Sequence, residues 1–155
     1  LTIFTCSYSE FERQQAPDRL PVRTTLGAPT RRPPTYAGDM ASLREVTPLA
    51  RFLRPVVLPR AEYEREYRNM LAGYGPERIQ QRISVLLANS GRQHPVLLCF
   101  DNLAKPGGWC HRSMFAGWWL EQTGEEVIEL GRRYVAPTGG TTMDATLFDD
   151  IRDGA

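Results

Sequence analysis

Residues 95–130, PVLLCFDNLAKPGGWCHRSMFAGWWLEQTGEEVIEL, hold the pattern that decides the fold. PVLLCF (95–100) is an unbroken apolar run between Pro95 and Asp101, the signature of a strand buried on both faces. After a Pro-Gly-Gly loop, HRSMFAGWWLEQTG sets Met114, Phe115, Trp118 and Trp119 in i, i+4 pairs and stops at Gly124, which predicts a helix with one apolar face. EEVIEL (125–130) reads as a second strand. A strand, helix, strand unit implies a parallel pair with a right-handed crossover.

The flanking segments agree. LTIFTCSY (1–8) and LPVRTTL (20–26) are rich in β-formers and read as strands. The Pro-rich stretch between Gly27 and Gly38 has too few apolar residues to pack. Thr47 and Pro48 predict the cap and first position of a helix over TPLARFL. AEYEREYRNML carries Tyr63, Tyr67 and Met70/Leu71 at helical spacing, and Pro76 opens a helix with Ile79, Ile83, Leu86 and Leu87 on one face and Gly91 as its stop. The expectation is one three-layer α/β domain over 1–135, its mostly parallel sheet flanked by helices, followed by a loose acidic tail, 136–155. Leu147, Phe148 and Ile151 of that tail are expected to dock on the domain itself.

A chain of 155 residues, 41% apolar, suits one core. It has no apolar run of about 18 residues, and its first segment lacks the charged start and cleavage site of a signal peptide, so the expectation is a cytoplasmic protein without a membrane partner. Three cysteines, at 6, 99 and 110, do not make the spaced even set of a secreted disulfide scaffold and read as reduced thiols. Net charge is +1, which gives no global case for nucleic acid. Locally, eight arginines from Arg19 to Arg60 face two acids, Asp39 and Glu45, while 142–155 carries four aspartates and one arginine. The basic segment either tracks an anionic partner, nucleic acid included, or is a solvated surface.

Ligands of open α/β sheets bind outside the carboxyl ends of the strands, and 101–112 is the loop that leaves such an end and enters a helix. A helix N-terminus favours anions and stabilises a thiolate. Gly107 and Gly108 let the backbone curl around a bound group, and Arg112 adds a forked donor suited to phosphate or carboxylate. The glycine, lysine and serine/threonine spacing of a P-loop is absent.

With the strands IFTCSYSEF and PVRTTLG, the run VLLCFDN…WCHRSMFAGWWLEQTGEEVIEL resembles the domain of unknown function 488 family, whose signature is an apolar strand, an acidic residue and a Cys-His-Arg triplet. The resemblance covers most of 1–130 and is most specific at Cys110, His111 and Arg112. Two departures stand out: Pro21 replaces an acidic residue two places before Arg23, and Asp101 replaces the usual glutamate. What the resemblance implies is an α/β fold and a site at the triplet, without a defined reaction.

In a parallel sheet, Ser7 and Tyr8, Arg23 and Thr24, and Asp101 and Asn102 converge on the edge that carries Gly108, Trp109, Cys110, His111 and Arg112. The leading expectation is a binding protein, accessory or ligand-sequestering, for a small anionic, nucleotide-like ligand. Arg23 and Arg112 would clamp its phosphate, and Tyr8 or Trp109 would stack on its ring. The alternatives are an enzyme acting on a nucleotide or base through Cys110 or Asp101, and a nucleic-acid module using Arg19–Arg60. Adjacent helical residues point about 100° apart, so His111 is badly placed as a base for Cys110. Cys6 and Cys99 read as core residues, His94 as a loop residue, and Trp118 and Trp119 as core. Cys-x-x-Cys spacing is absent, so no metal or other cofactor is expected. A bracing role for the triplet, with Cys110 buried and Arg112 on loop carbonyls, stays open.

Overall fold

The computed structural model describes residues 1–101, 103 and 108–131. Five strands, β1 (Ile3–Ser7), β2 (Arg19–Arg23), β3 (Ala41–Ser42), β4 (His94–Cys99) and β5 (Val127–Glu129), form an all-parallel sheet in the order β3-β2-β4-β1-β5. Four helices accompany it: α1 (Tyr8–Gln14), α2 (Arg60–Tyr74), α3 (Pro76–Ser90) and α4 (His111–Thr123). None is long and apolar enough to cross a membrane. The chain is thus an α/β protein with helices on both faces of a parallel sheet.

Alternation along the strands sorts the core into two layers. Ile3, Leu20, Val22, Leu97 and Val127 meet Tyr63, Tyr67 and Leu71 of α2, Ile79 and Ile83 of α3, and Phe115 and Trp119 of α4. Phe4, Cys6, Val96 and Leu98 point the other way, onto Phe11 of α1 and Tyr36. Trp118 and Trp119 belong to the first layer, as the i, i+4 pattern indicates. Gly91 and Gly124 end α3 and α4 in the left-handed conformation (φ 69° and 73°), which glycine adopts without a Cβ clash.

Two prolines in inner strands sit where they cost no ladder bond. Pro21 lies one residue before β2 begins to pair with β3, and Pro95 one residue before β4 begins to pair with β1.

Three expectations need correction. The strands on either side of α4 are parallel but not neighbours, because β1 lies between β4 and β5 and bonds to both. TPLARFL forms only the 3-10 turn Ala50–Phe52, since Pro48 and Pro55 leave too few residues to nucleate an α-helix. His94 is the first residue of β4, its ring packed edge-on against Phe4, rather than a loop residue. The acidic tail and its Leu147, Phe148 and Ile151 lie outside the described residues.

Candidate functional site

Because every strand runs the same way, Ser7, Arg23 and Cys99 end their strands at one edge of the sheet. Cys110, entering α4, arrives at that edge beside Cys99. It is the N-cap of α4, with extended backbone, and its carbonyl accepts from the N–H groups of Ser113 and Met114. Its side chain does what a Ser or Thr hydroxyl does at such a position. The Ser113 N–H donates to the Cys110 sulfur while the Cys110 N–H donates to Ser113 Oγ at 3.4 Å. A cysteine followed three places later by a serine therefore builds a capping box around sulfur.

The sulfur is not alone. Cys99 Sγ donates to Cys110 Sγ at 3.4 Å, and Arg112 Nη1 lies 2.6 Å from Cys99 Sγ and 3.5 Å from Cys110 Sγ. The same Nη1 donates to the Asp101 carbonyl at 2.7 Å. The far side of the guanidinium grips Glu129 in a fork, Nε to Oε2 at 3.1 Å and Nη2 to Oε1 at 3.2 Å. Thr5 Oγ1 donates to Glu129 Oε2 as well. Arg112 is 2% exposed, so this cation is buried and hydrogen-bonded at every nitrogen.

Such surroundings decide how the two thiols share their protons. The hydrogen bond from Cys99 holds the Cys110 thiol below its ordinary range, helped by the Arg112 charge and the N–H groups of Ser113 and Arg112, against the opposing effect of burial. Cys99, by contrast, is pushed far up by donating to Cys110 and by burial. Arg112 lies closer to Cys99, which also accepts the Asp101 N–H at 3.4 Å, yet only Cys110 sits at the partial positive charge of a helix start and accepts from Cys99, so the thiolate form is favoured at Cys110 rather than at Cys99. Although burial pulls Arg112 down, the two sulfurs and Glu129 hold its pKa above the ordinary value.

His111 faces a different partner. The Thr24 hydroxyl donates to the Leu98 carbonyl at 2.8 Å, so its lone pair accepts from His111 Nε2 at 2.9 Å. That assigns the proton to Nε2 and leaves Nδ1 an acceptor. Burial and the adjacent Arg112 drive the imidazole pKa down to about 3, so the ring is neutral.

Above these groups opens a cavity of about 630 Å³, inside the roughly 300–1,000 Å³ span of small-molecule sites. Cys110, His111, Asp101, Trp109, Tyr63 and Arg54 line it. Trp109 meets Tyr63 edge-on at 5.3 Å. Leu26, Val57 and Phe100 form an exposed apolar rim.

The residues singled out from sequence divide into three groups. Asp101, Trp109, Cys110 and His111 meet at the cavity, with Gly108 exposed beside Trp109. Arg112 lies beneath it as an internal brace to Glu129 and the sulfurs, not as a clamp open to a ligand. Ser7, Tyr8 and Arg23 do not line it. Ser7 Oγ caps α1 by accepting the Glu10 N–H, and Tyr8 is buried in the α1 layer with its hydroxyl on Thr25. Arg23 lies near Tyr8, whose pKa is raised by burial and lowered in part by that arginine. Asn102 lies outside the described residues. Sequence reasoning placed Cys99 in the core; buried it is, but against Cys110 and Arg112. It also missed Glu129, Tyr63 and Arg54 as site residues. The lone signal for Glu129 was a carboxylate inside an apolar strand. Of the Arg19–Arg60 arginines, Arg19 lies over Phe4, Arg51 pairs with Glu66, and Arg54 lines the cavity.

Ligand atoms of Cys99, Cys110 and His111 lie within 4.8 Å of one another, a soft donor set. Arg112 Nη1 already rests against both sulfurs and would repel a divalent ion placed there, so the arrangement favours thiol chemistry. Comparisons with family models, with curated proteins and with solved structures find no match to this chain.

Proposed function

We propose that this protein is an enzyme in which the Cys110 thiolate attacks a small ring-bearing substrate, a nucleotide or a nucleobase derivative, seated in the cavity that Trp109 and Tyr63 help to line. One observation carries the reading: the anion cradle at the start of α4 is filled by the chain's own sulfur, which borders the cavity. A thiolate held by a thiol, a guanidinium and helix N–H groups needs no adjacent base, so the reading does not depend on His111, whose ring lies within 4.8 Å of the Cys110 sulfur, taking its proton. Neutral His111 offers Nδ1 as an acceptor to a substrate N–H or O–H. Arg54 is the cavity-lining cation that can meet a phosphate, and Asp101 the carboxylate available for proton transfer to a leaving group. Membership of the domain of unknown function 488 family is part of the same proposal and rests on the Cys-His-Arg triplet. Binding without turnover is the second reading, favoured by the aromatic walls, which hold a ring whatever the sulfur does.

The test is a panel of mono-, di- and cyclic nucleotides, nucleosides and short oligonucleotides given to the wild type and to Cys110→Ser, with ligand consumption followed by mass spectrometry and binding by thermal shift. The expected result is a ligand that both proteins bind and only the wild type consumes. Equal turnover by Cys110→Ser removes the nucleophile, and the absence of any thermal shift removes the ligand class.

A further inference from the structure

We infer that Cys99 and Cys110 form a peroxide-reactive pair, in which Cys110 is the thiol that attacks the peroxide and Cys99 resolves it into an intramolecular disulfide. The inference shares the Cys110 thiolate with the proposed enzyme but is independent of any substrate. Hydrogen peroxide and small organic hydroperoxides are the reactant class, small enough to reach Cys110 through the cavity that it lines.

The steps balance as follows. The Cys110 sulfur attacks one peroxide oxygen and the O–O bond breaks; the departing oxygen takes a proton and leaves as water or an alcohol. Sulfur, oxidised by two electrons, becomes a sulfenic acid. Cys99 Sγ then attacks that sulfur, the S–S bond forms, the S–O bond breaks, and the hydroxide leaves as water with the Cys99 proton. One hydroperoxide is reduced for each disulfide made.

Geometry supports both steps. The sulfurs stand 3.4 Å apart, so the bond of about 2.05 Å requires a closure of about 1.4 Å. Cys99 is held at the end of β4 and Cys110 in the extended N-cap of α4. Oxidation leaves no orphaned charge, because Arg112 keeps its fork on Glu129 and its bond to the Asp101 carbonyl. Surroundings that stabilise the Cys110 thiolate favour the reduced form, so the disulfide is reducible by a monothiol such as glutathione that reaches Cys110 through the cavity. Cys6 serves as an internal control: it lies in the α1 layer, and burial pushes its thiol up to about 12.

Trypsin spares the bond between Lys105 and Pro106, so cleavage after Arg92 and Arg112 yields one peptide, 93–112, with both cysteines. The experiment treats fully reduced protein with one equivalent of hydrogen peroxide, traps with dimedone and iodoacetamide, and weighs that peptide. In the wild type, 93–112 should become two hydrogens lighter while Cys6 remains a free thiol, and millimolar glutathione should reverse the change. In Cys99→Ser the peptide should instead carry a dimedone adduct on Cys110, and in Cys110→Ser it should be untouched. If peptide 93–112 keeps both thiols while iodoacetamide still alkylates Cys110 rapidly, the resolving pair is wrong and the nucleophile stands. If neither reagent touches Cys110, both readings fall.

Discussion

Replacing Arg112 by methionine keeps most of the side chain's volume and removes the charge that joins α4 to β5 and to the sulfurs. In the variant, Glu129, whose side chain is only 13% exposed, keeps the Thr5 hydroxyl and loses both guanidinium bonds. Breaking a buried pair by removing one partner costs about 3 to 5 kcal/mol. For a chain of this size, that cost should lower Tm by about 10 °C. Adding Glu129→Gln removes the stranded charge and leaves Thr5 an acceptor, so the double variant should recover about half of the loss, as expected when both members of a buried pair become neutral. Cys110 responds differently. Both variants lack the cation beside its sulfur, so its thiol rises and its alkylation by iodoacetamide at pH 7 should slow by about tenfold for each pKa unit gained. Calorimetry and trapping kinetics on the three proteins separate the effects: stability partly returns in the double variant and reactivity does not. A single variant that melts within about 1 °C of wild type, or a double variant with wild-type Cys110 reactivity, would refute the role given to Arg112.

Acid should destabilise the protein through His111. Its folded pKa, about 3, lies below the ordinary histidine value, so the unfolded chain takes the proton first. Stability is therefore full above about pH 6.5 and falls as the pH drops toward 3, by about 2 kcal/mol at pH 5, where urea titrations of wild type and His111→Gln should differ in slope against pH. Thr24→Val removes the acceptor for His111 Nε2 and should cost about 1 to 3 kcal/mol, read in the same titrations. A ring bound in the cavity against Trp109 should change tryptophan fluorescence, and Trp109→Phe should abolish the change while Trp118 and Trp119 remain.

The strand, helix, strand pattern of 95–130 was legible because period and punctuation are local: an apolar run, i, i+4 aromatics, and a glycine at each helix end. That Pro48 and Pro55 reduce TPLARFL to one 3-10 turn is also local, yet the cap signal at Thr47 and Pro48 drew the reading toward a helix. The position of β1 between β4 and β5 is a matter of topology, which periodicity does not encode. At the site, the Cys-His-Arg triplet pointed to the right edge of the sheet. What each member does depends on residues far along the chain: Arg112 meets Glu129 and Cys99, and His111 meets Thr24. Cys99 looked like core because its neighbours are apolar, and it is fully buried; burial alone did not reveal that its sulfur meets Cys110. Ser7 ends β1 at the correct edge and Tyr8 opens α1 there, but both serve the α1 layer, a distinction that needs the side of the sheet as well as its end.

The most direct test of the account is the rate of iodoacetamide alkylation of Cys110 in the native protein as a function of pH, with Cys6 and Cys99 replaced by serine and alanine in separate backgrounds. With Cys99 present, the rate should rise with a midpoint below the ordinary cysteine value of about 8.5, and the midpoint should move upward in Cys99→Ala, which lacks the donor thiol. A midpoint at or above 8.5 with Cys99 present, in protein that remains folded, would contradict the claim that the start of α4 holds a thiolate.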